Sequence, residues 1–181
     1  DGSYEYQVEH EGTTTPLIVR CRVQVKGSDL LVDYTGTSPQ VESKSINVVE
    51  TYTYAYTSFA VKALLSPDIP NNEGAFRPLQ VHAPPGCVLN ALHPVGTGAR
   101  GQIGHLLPPA VFGALGPVIG RRRRAEGSGN CVVTMIGREG GSRFAVSSFV
   151  NAGQGASRLS PGLSAISFPS NLGNTPIEIL E

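Results

Sequence analysis

The stretch HPVGTGARGQIGH, residues 93–105, sets Gly96, Gly98, Gly101 and Gly104 and two histidines around Arg100. Glycines let a backbone approach a ligand or another segment closely. Arg100, Gln102 and His105 are the polar side chains that emerge from this loop. A guanidinium fork matches carboxylates and ureido-type groups, and an imidazole moves protons near neutral pH. The three are candidate substrate-binding residues. The alternative is that Arg100 pairs with an acid and His105 bonds a backbone carbonyl, which would make the loop purely structural.

Gly96-x-Gly98-x-x-Gly101 also has the spacing of a dinucleotide-binding loop. That motif needs an unbroken strand before it, a helix opening on its third glycine, and an acid ~20 residues further on for the ribose. Here Pro94 interrupts the lead-in, Pro108 and Pro109 break the helix, and no acid follows before Glu126. With 22 glycines in 181 residues, a chance match is expected. The nucleotide reading fails.

No complete catalytic set accompanies the loop. His10, His82, His93 and His105 show neither H-x-x-x-H nor HExxH spacing, so no metal site is signalled. A G-x-S-x-G nucleophile elbow and paired carboxylates at helical spacing are missing too. Catalytic residues are unassigned.

The elements that must hold the loop are short and often interrupted, because the chain carries 22 glycines and 14 prolines. LIVRCRVQV alternates with period two: Leu17, Val19, Cys21, Val23 and Val25 face one way, and Ile18, Arg20, Arg22 and Gln24 the other. After the turn KGSD, LLVDYTG alternates again, so the two form an antiparallel hairpin. Arg20 and Arg22 belong to its solvated face. Val49, Tyr52, Tyr56, Phe59 and Ala63 share a helical face, with Ser45 as a possible cap and Pro67 as a stop. On that helix Tyr52 and Tyr56 are core or rim residues, or a cluster lining a pocket. The proline-rich run from Ser66 to Asn90 is expected to be extended, with a short strand at LQVHA and a turn at PPG. LPPAVFGALGPVIG reads as a short helix with proline in its first turn. CVVTMIG, REGG and SRFAVSSFV read as a second hairpin, and LSAISF as a strand-like piece in a long irregular tail. The fold class is α+β: antiparallel hairpins packed with two or so helices and Gly/Pro-rich loops. Residues 1–181 are expected to form a single domain.

Fourteen basic and fourteen acidic residues balance, so no global field draws the chain to nucleic acid or a membrane. The run Arg121–Arg124 lacks the interleaved aromatics that nucleic-acid binding would want and reads as a solvated loop. No apolar run approaches the ~20 residues of a membrane span, and no signal segment is legible. Cys21, Cys87 and Cys131 are widely spaced among apolar neighbours, which fits buried reduced thiols and, by default, the cytoplasm.

Taken in order, YTGTSPQV, LLSPDIPNNEGAFRPLQVHAPPGCVLN, HPVGTGARGQIGHLLPPAVFGAL and GLSAISFPSNLGNTPIEILE resemble the hydantoinase B/oxoprolinase family. The match covers nearly the whole chain and is weakest at the arginine run. Complete members are much longer, so the chain is expected to be an internal segment of a hydantoinase B-like protein. The resemblance implies part of an ATP-dependent hydrolase of cyclic amides of the hydantoin or 5-oxoproline type, inactive alone, or part of a related carboxylase. It implies a hydantoinase A-like subunit or fused region that binds ATP and phosphorylates the substrate, an oligomeric full protein, and a divalent metal held outside this segment. Family-like positions are Arg77, Arg100, Gly104, Asn171, Asn174, Thr175 and Glu178, with Asn171 and Asn174 candidates for ordering a closing loop at the substrate. Two other classes stay open: a module that binds small carboxylates or cyclic amides through Arg100 and Arg143, and a scaffold for other subunits.

Overall fold

The computed structural model describes residues 1–11, 15–127, 131–150 and 153–166. The chain divides into two compact units, Asp1–Arg122 and Arg123–Glu181.

The first unit is built on a four-stranded sheet in the order β1-β2-β3-β4. The expected hairpin is β2 (Leu17–Lys26) and β3 (Asp29–Asp33), antiparallel and in register from Arg22–Asp33 to Lys26–Asp29. Gly27, at φ 59°, supplies the left-handed turn residue between them. β1 (Gly2–His10), which the sequence patterns above do not mark as a strand, pairs antiparallel along the whole of β2. Its alternation is nonetheless present: Tyr4, Tyr6 and Val8 oppose Val23, Cys21 and Val19 on the core face. β4 (Leu79–His82), the expected LQVHA strand, adds to β3 in parallel. Parallel neighbours need a crossover, and the helix α1 (Glu50–Leu65) lies within it.

The core is the inward face of the sheet roofed by helices. Leu17, Val19, Cys21 and Val23 of β2 and Leu30 and Val32 of β3 are all buried, as the period of two requires. Helix α4 (Leu107–Leu115) carries Pro108 and Pro109 in its opening turn and buries Leu107, Ala110, Val111 and Ala114. Gly113 of α4 leaves room for the Tyr6 ring of β1. The outer face is wet: Arg22 pairs with Glu5 at 2.6 Å and Arg20 reaches Gln7 at 3.3 Å. Cys21 and Cys87 are buried free thiols, and burial pushes the Cys21 thiol up to about 12. The side chain of Cys131 lies outside what the structure describes.

The helix in the tyrosine-rich segment is present, but its buried face differs from the expected one. Thr53, Thr57, Ala60 and Leu64 go inward, while Val49 and Phe59 are exposed and Tyr52 and Tyr56 are half-buried. The threonines can enter because each hydroxyl finds a partner: Thr57 Oγ1 meets the Tyr34 hydroxyl at 2.7 Å, and Thr53 donates to the Leu89 carbonyl at 2.6 Å. Satisfied hydroxyls remove the cost of burial, and a count of apolar residues overlooks this. Ser45 is not the cap; Val49 holds that place without a side-chain bond, and Glu50 in the first turn complements the helix dipole. Before Pro67 the helix ends on Lys62, whose ammonium donates to the carbonyls of Ser66 and Ile69, and on Arg122, which donates to Leu64 O at 2.9 Å. The segment after it is not fully extended. A single turn, α2 (Glu73–Phe76), forms where Asn72 Oδ1 accepts the Ala75 N–H at 3.0 Å.

In the second unit β5 (Cys131–Glu139) and β6 (Ser142–Val150) make the expected hairpin, closed by Gly140 and Gly141 at φ 55° and 85°. Two successive positive φ values match the twist of a two-residue hairpin loop. Arg124 bridges to Ser157 and bonds Gln154 at 3.2 Å. Of LSAISF, the first four residues form no strand and the rest lie outside the described residues. No helix among the described residues is long and apolar enough to cross a membrane.

Candidate functional site

The glycine loop is held from below by one buried side chain. Asn47 is fully buried. Its Oδ1 accepts the Val41 N–H at 2.7 Å, and its Nδ2 donates to Val41 O at 2.7 Å, Lys44 O at 3.2 Å and Gly96 O at 3.0 Å. Ala99 N–H then donates to Ser45 O at 2.7 Å. Gly96 has no Cβ because the Ser45 side chain occupies that space. The loop is therefore pinned at Gly96 and Ala99 before it turns.

Beyond the pin the chain forms a single helical turn, α3 (Gly101–Gly104), with Arg100 before it and His105 after it. Gly104 is the contact with α1, and the Tyr52 ring lies where a Cβ at position 104 would project. This close approach lays the loop along the tyrosine face. Tyr52 and Tyr56, one helical turn apart, stack at 4.4 Å between centroids and 11° between planes. Tyr56 stacks in turn with His105 at 5.7 Å and 30°, and the Arg100 guanidinium sits 5.7 Å from the Tyr52 ring centroid. The result is a row: Arg100, Tyr52, Tyr56, His105.

The row has a definite protonation pattern. Desolvation holds the His105 imidazole below its ordinary pKa, so at neutral pH it is an uncharged donor–acceptor. Burial, then a hydrogen bond with Tyr56, raises the Tyr52 phenol well above its usual range, against a smaller opposing pull from Arg100. Both tyrosines are thus protonated. Arg100 spends one weak bond on Thr97 O at 3.5 Å and is otherwise exposed, which leaves most of its donors available.

Of the residues singled out from sequence, Arg100 and His105 come together on the tyrosine face. Gln102 is exposed and takes no part in these ring contacts. Asn171 and Asn174 lie outside the described residues. Neither purely structural pairing holds among the described residues: Arg100 lies over Tyr52 rather than beside a carboxylate, and His105 packs on Tyr56. Arg143 belongs to β6, in the second unit. Tyr52 and Tyr56, whose spacing fits core packing as well as a pocket wall, are the part of the site that sequence reasoning undervalues. Their signal is the i, i+4 spacing of two large amphipathic rings on a helix whose other face is rich in small residues.

Among the described residues no three His, Cys, Asp or Glu side chains gather as a cation site would require. These residues do not fit a divalent metal, and no chemistry is routed through one. A separate open cleft of about 330 Å³ lies between the start of α1 and β4, lined by Glu50, Thr51, Thr53, Tyr54, Val81 and Ala83. It lacks the convergent donors that the loop provides.

Known proteins share this architecture. The chain superposes with a TM-score of 0.76 on an ATP-dependent caprolactamase from Pseudomonas jessenii, at 22% identity, covering 92% of this chain and 30% of that one. A nucleotide-free acetone carboxylase gives 0.75 at 19% identity, covering 92% and 25%. These likenesses establish the fold. In sequence, residues 1–181 match the family model of Hydantoinase B/oxoprolinase, and the chain belongs to that family. A relative from Pseudomonas sp. (strain NS671), described as the candidate B component of a D-/L-hydantoinase, is 32% identical over 173 residues. The alignment takes in 91% of this chain and 29% of that protein, so the chain spans under a third of its relative's length.

Proposed function

We propose that this chain is part of an ATP-dependent enzyme that hydrolyses cyclic amides of the hydantoin or 5-oxoproline type, and that it contributes a substrate-facing wall. The observation that carries the reading is the match of all 181 residues to the Hydantoinase B/oxoprolinase family. The 32% identity to a protein described as a hydantoinase component supports amide hydrolysis over carboxylation. Fold alone does not choose, because the caprolactamase and the carboxylase superpose about equally well.

In this reading Arg100 binds a carbonyl or carboxylate oxygen of the ring, and His105, neutral at physiological pH, accepts or relays a proton. Gln102 and the asparagines Asn171 and Asn174 stand with them as substrate-side candidates. An unstrained amide is a poor electrophile, and phosphorylation from ATP turns its oxygen into a leaving group. A hydantoinase A-like subunit or fused region supplies that step. Any divalent metal is held elsewhere in the complete enzyme, and the 181-residue chain is inactive alone.

The test is ring opening of 5-oxoproline and hydantoins by the full-length protein with its A-like partner, with and without ATP. A bicarbonate and acetone arm runs in parallel. ATP-dependent hydrolysis that needs both components is expected. Carboxylation without ring opening would move the assignment to the carboxylases, and turnover by the 181 residues alone would overturn the wall role.

A further inference from the structure

Tyr56 sits inside the row, 4.4 Å from Tyr52 on one side and 5.7 Å from His105 on the other. The two phenols share a hydrogen bond, and that bond makes Tyr52 hold its proton more tightly, so Tyr52 is the donor. A hydroxyl has one proton and two lone pairs. Tyr56 therefore spends a lone pair on Tyr52 and keeps its own proton to give. Among the described residues no acceptor is paired with that proton, and Tyr56 is half-buried, with its outer part reachable. Its neighbour His105 offers a lone pair on one ring nitrogen.

A donor and an acceptor side by side match one kind of amide better than the other. In a small ring the amide is forced cis, so its C=O and N–H lie along the same edge. In an open chain it is trans, and the two groups point opposite ways. We infer that Tyr56 is a specificity residue that donates its O–H to the carbonyl oxygen of a ring amide, while His105 accepts the adjacent N–H. The inference rests on the cyclic-amide reading above and adds what that reading lacks, a reason for preferring rings to open-chain amides. Arg100, over Tyr52, is placed for a further oxygen on the same ligand.

The experiment uses the full-length protein with its A-like partner and ATP. Tyr56→Phe keeps the ring in its stack and removes only the donor. A buried hydrogen bond to substrate lost in this way is expected to lower kcat/KM for a ring amide by about tenfold or more. Tyr54→Phe, on the exposed side of α1, is the control and stays within twofold of the parent. Thermal midpoints accompany both. Ring opening by the parent with a Tyr56→Phe value within twofold would overturn this inference and leave the cyclic-amide reading standing. A parent inert toward every ring amide with ATP would sink both. If Tyr56→Phe proves unstable, the parent decides: a ring amide must compete at least tenfold better than its open-chain counterpart, and equal inhibition contradicts the inference.

Discussion

Gly104 lies under the Tyr52 ring so closely that no side chain fits between them. The contact joins the two segments that make the site, because it sets α3 against α1 and so brings Arg100 and His105 to the tyrosines. Gly104→Ala must push the Tyr52 ring aside. The expected cost is about 1–3 kcal/mol in chemical denaturation of the 181-residue chain. Gly98→Ala is the comparison, since a Cβ there meets only Ser45 Cβ at 3.8 Å, an ordinary contact. Equal stability of the two variants would contradict the role given to Gly104.

Asn47 gives a second prediction. Replacing it with alanine strips partners from Val41 N–H and from the carbonyls of Val41, Lys44 and Gly96. Unsatisfied buried polar groups cost about 1–3 kcal/mol each when water cannot reach them. A loss of about 2–4 kcal/mol is expected, in the range that marks a broken buried network. Asn47→Asp should not rescue, because a carboxylate cannot donate to three carbonyls. Denaturant midpoints check both, and a stable Asn47→Asp chain would refute the donor role.

The buried pair Tyr34–Thr57 supplies a double-mutant cycle. Their hydroxyls meet at 2.7 Å in the core. Thr57→Val leaves the Tyr34 O–H without a partner, at a cost of about 1–3 kcal/mol. Adding Tyr34→Phe removes the orphan, so the double variant should be less destabilised than the sum of the singles. Strict additivity would mean that the bond contributes nothing to holding α1 on the sheet.

His105 sets a pH dependence. Unfolded, the imidazole protonates near its ordinary value of 6.5; folded, desolvation holds it neutral to lower pH. Between the two values the unfolded chain binds more protons, so acid favours unfolding. The contribution of His105 is therefore fully retained above 6.5 and is lost as pH falls below it. Stability measured across this window should decline less steeply in His105→Gln than in the parent. Identical slopes would show that His105 is not desolvated.

How far the residues alone carry this picture depends on what each element has to satisfy. Period-two alternation in β2 and β3 and the paired glycines of the β5–β6 turn reflect local rules, and both hairpins are legible. So are Pro108 and Pro109 at the start of α4 and the loop bearing Arg100 and His105. The parallel pairing of β4 with β3 and the inward turn of Thr53 and Thr57 are not. Each depends on a partner distant in sequence, Leu30 with Leu79 or Thr57 with Tyr34. For the same reason the site is half visible: the loop's polar groups stand out, but only Gly104 packing on Tyr52 shows which surface they meet.

The central claim is that a ring amide binds where the loop meets the tyrosine face. Hydrogen–deuterium exchange of the full-length protein with its A-like partner, with and without a saturating cyclic amide, tests it most directly. The account predicts that ligand slows exchange in peptides spanning residues 95–106 and 50–58 more than elsewhere in these 181 residues. Unchanged exchange in both segments, with clear protection in other parts of the enzyme, would contradict it.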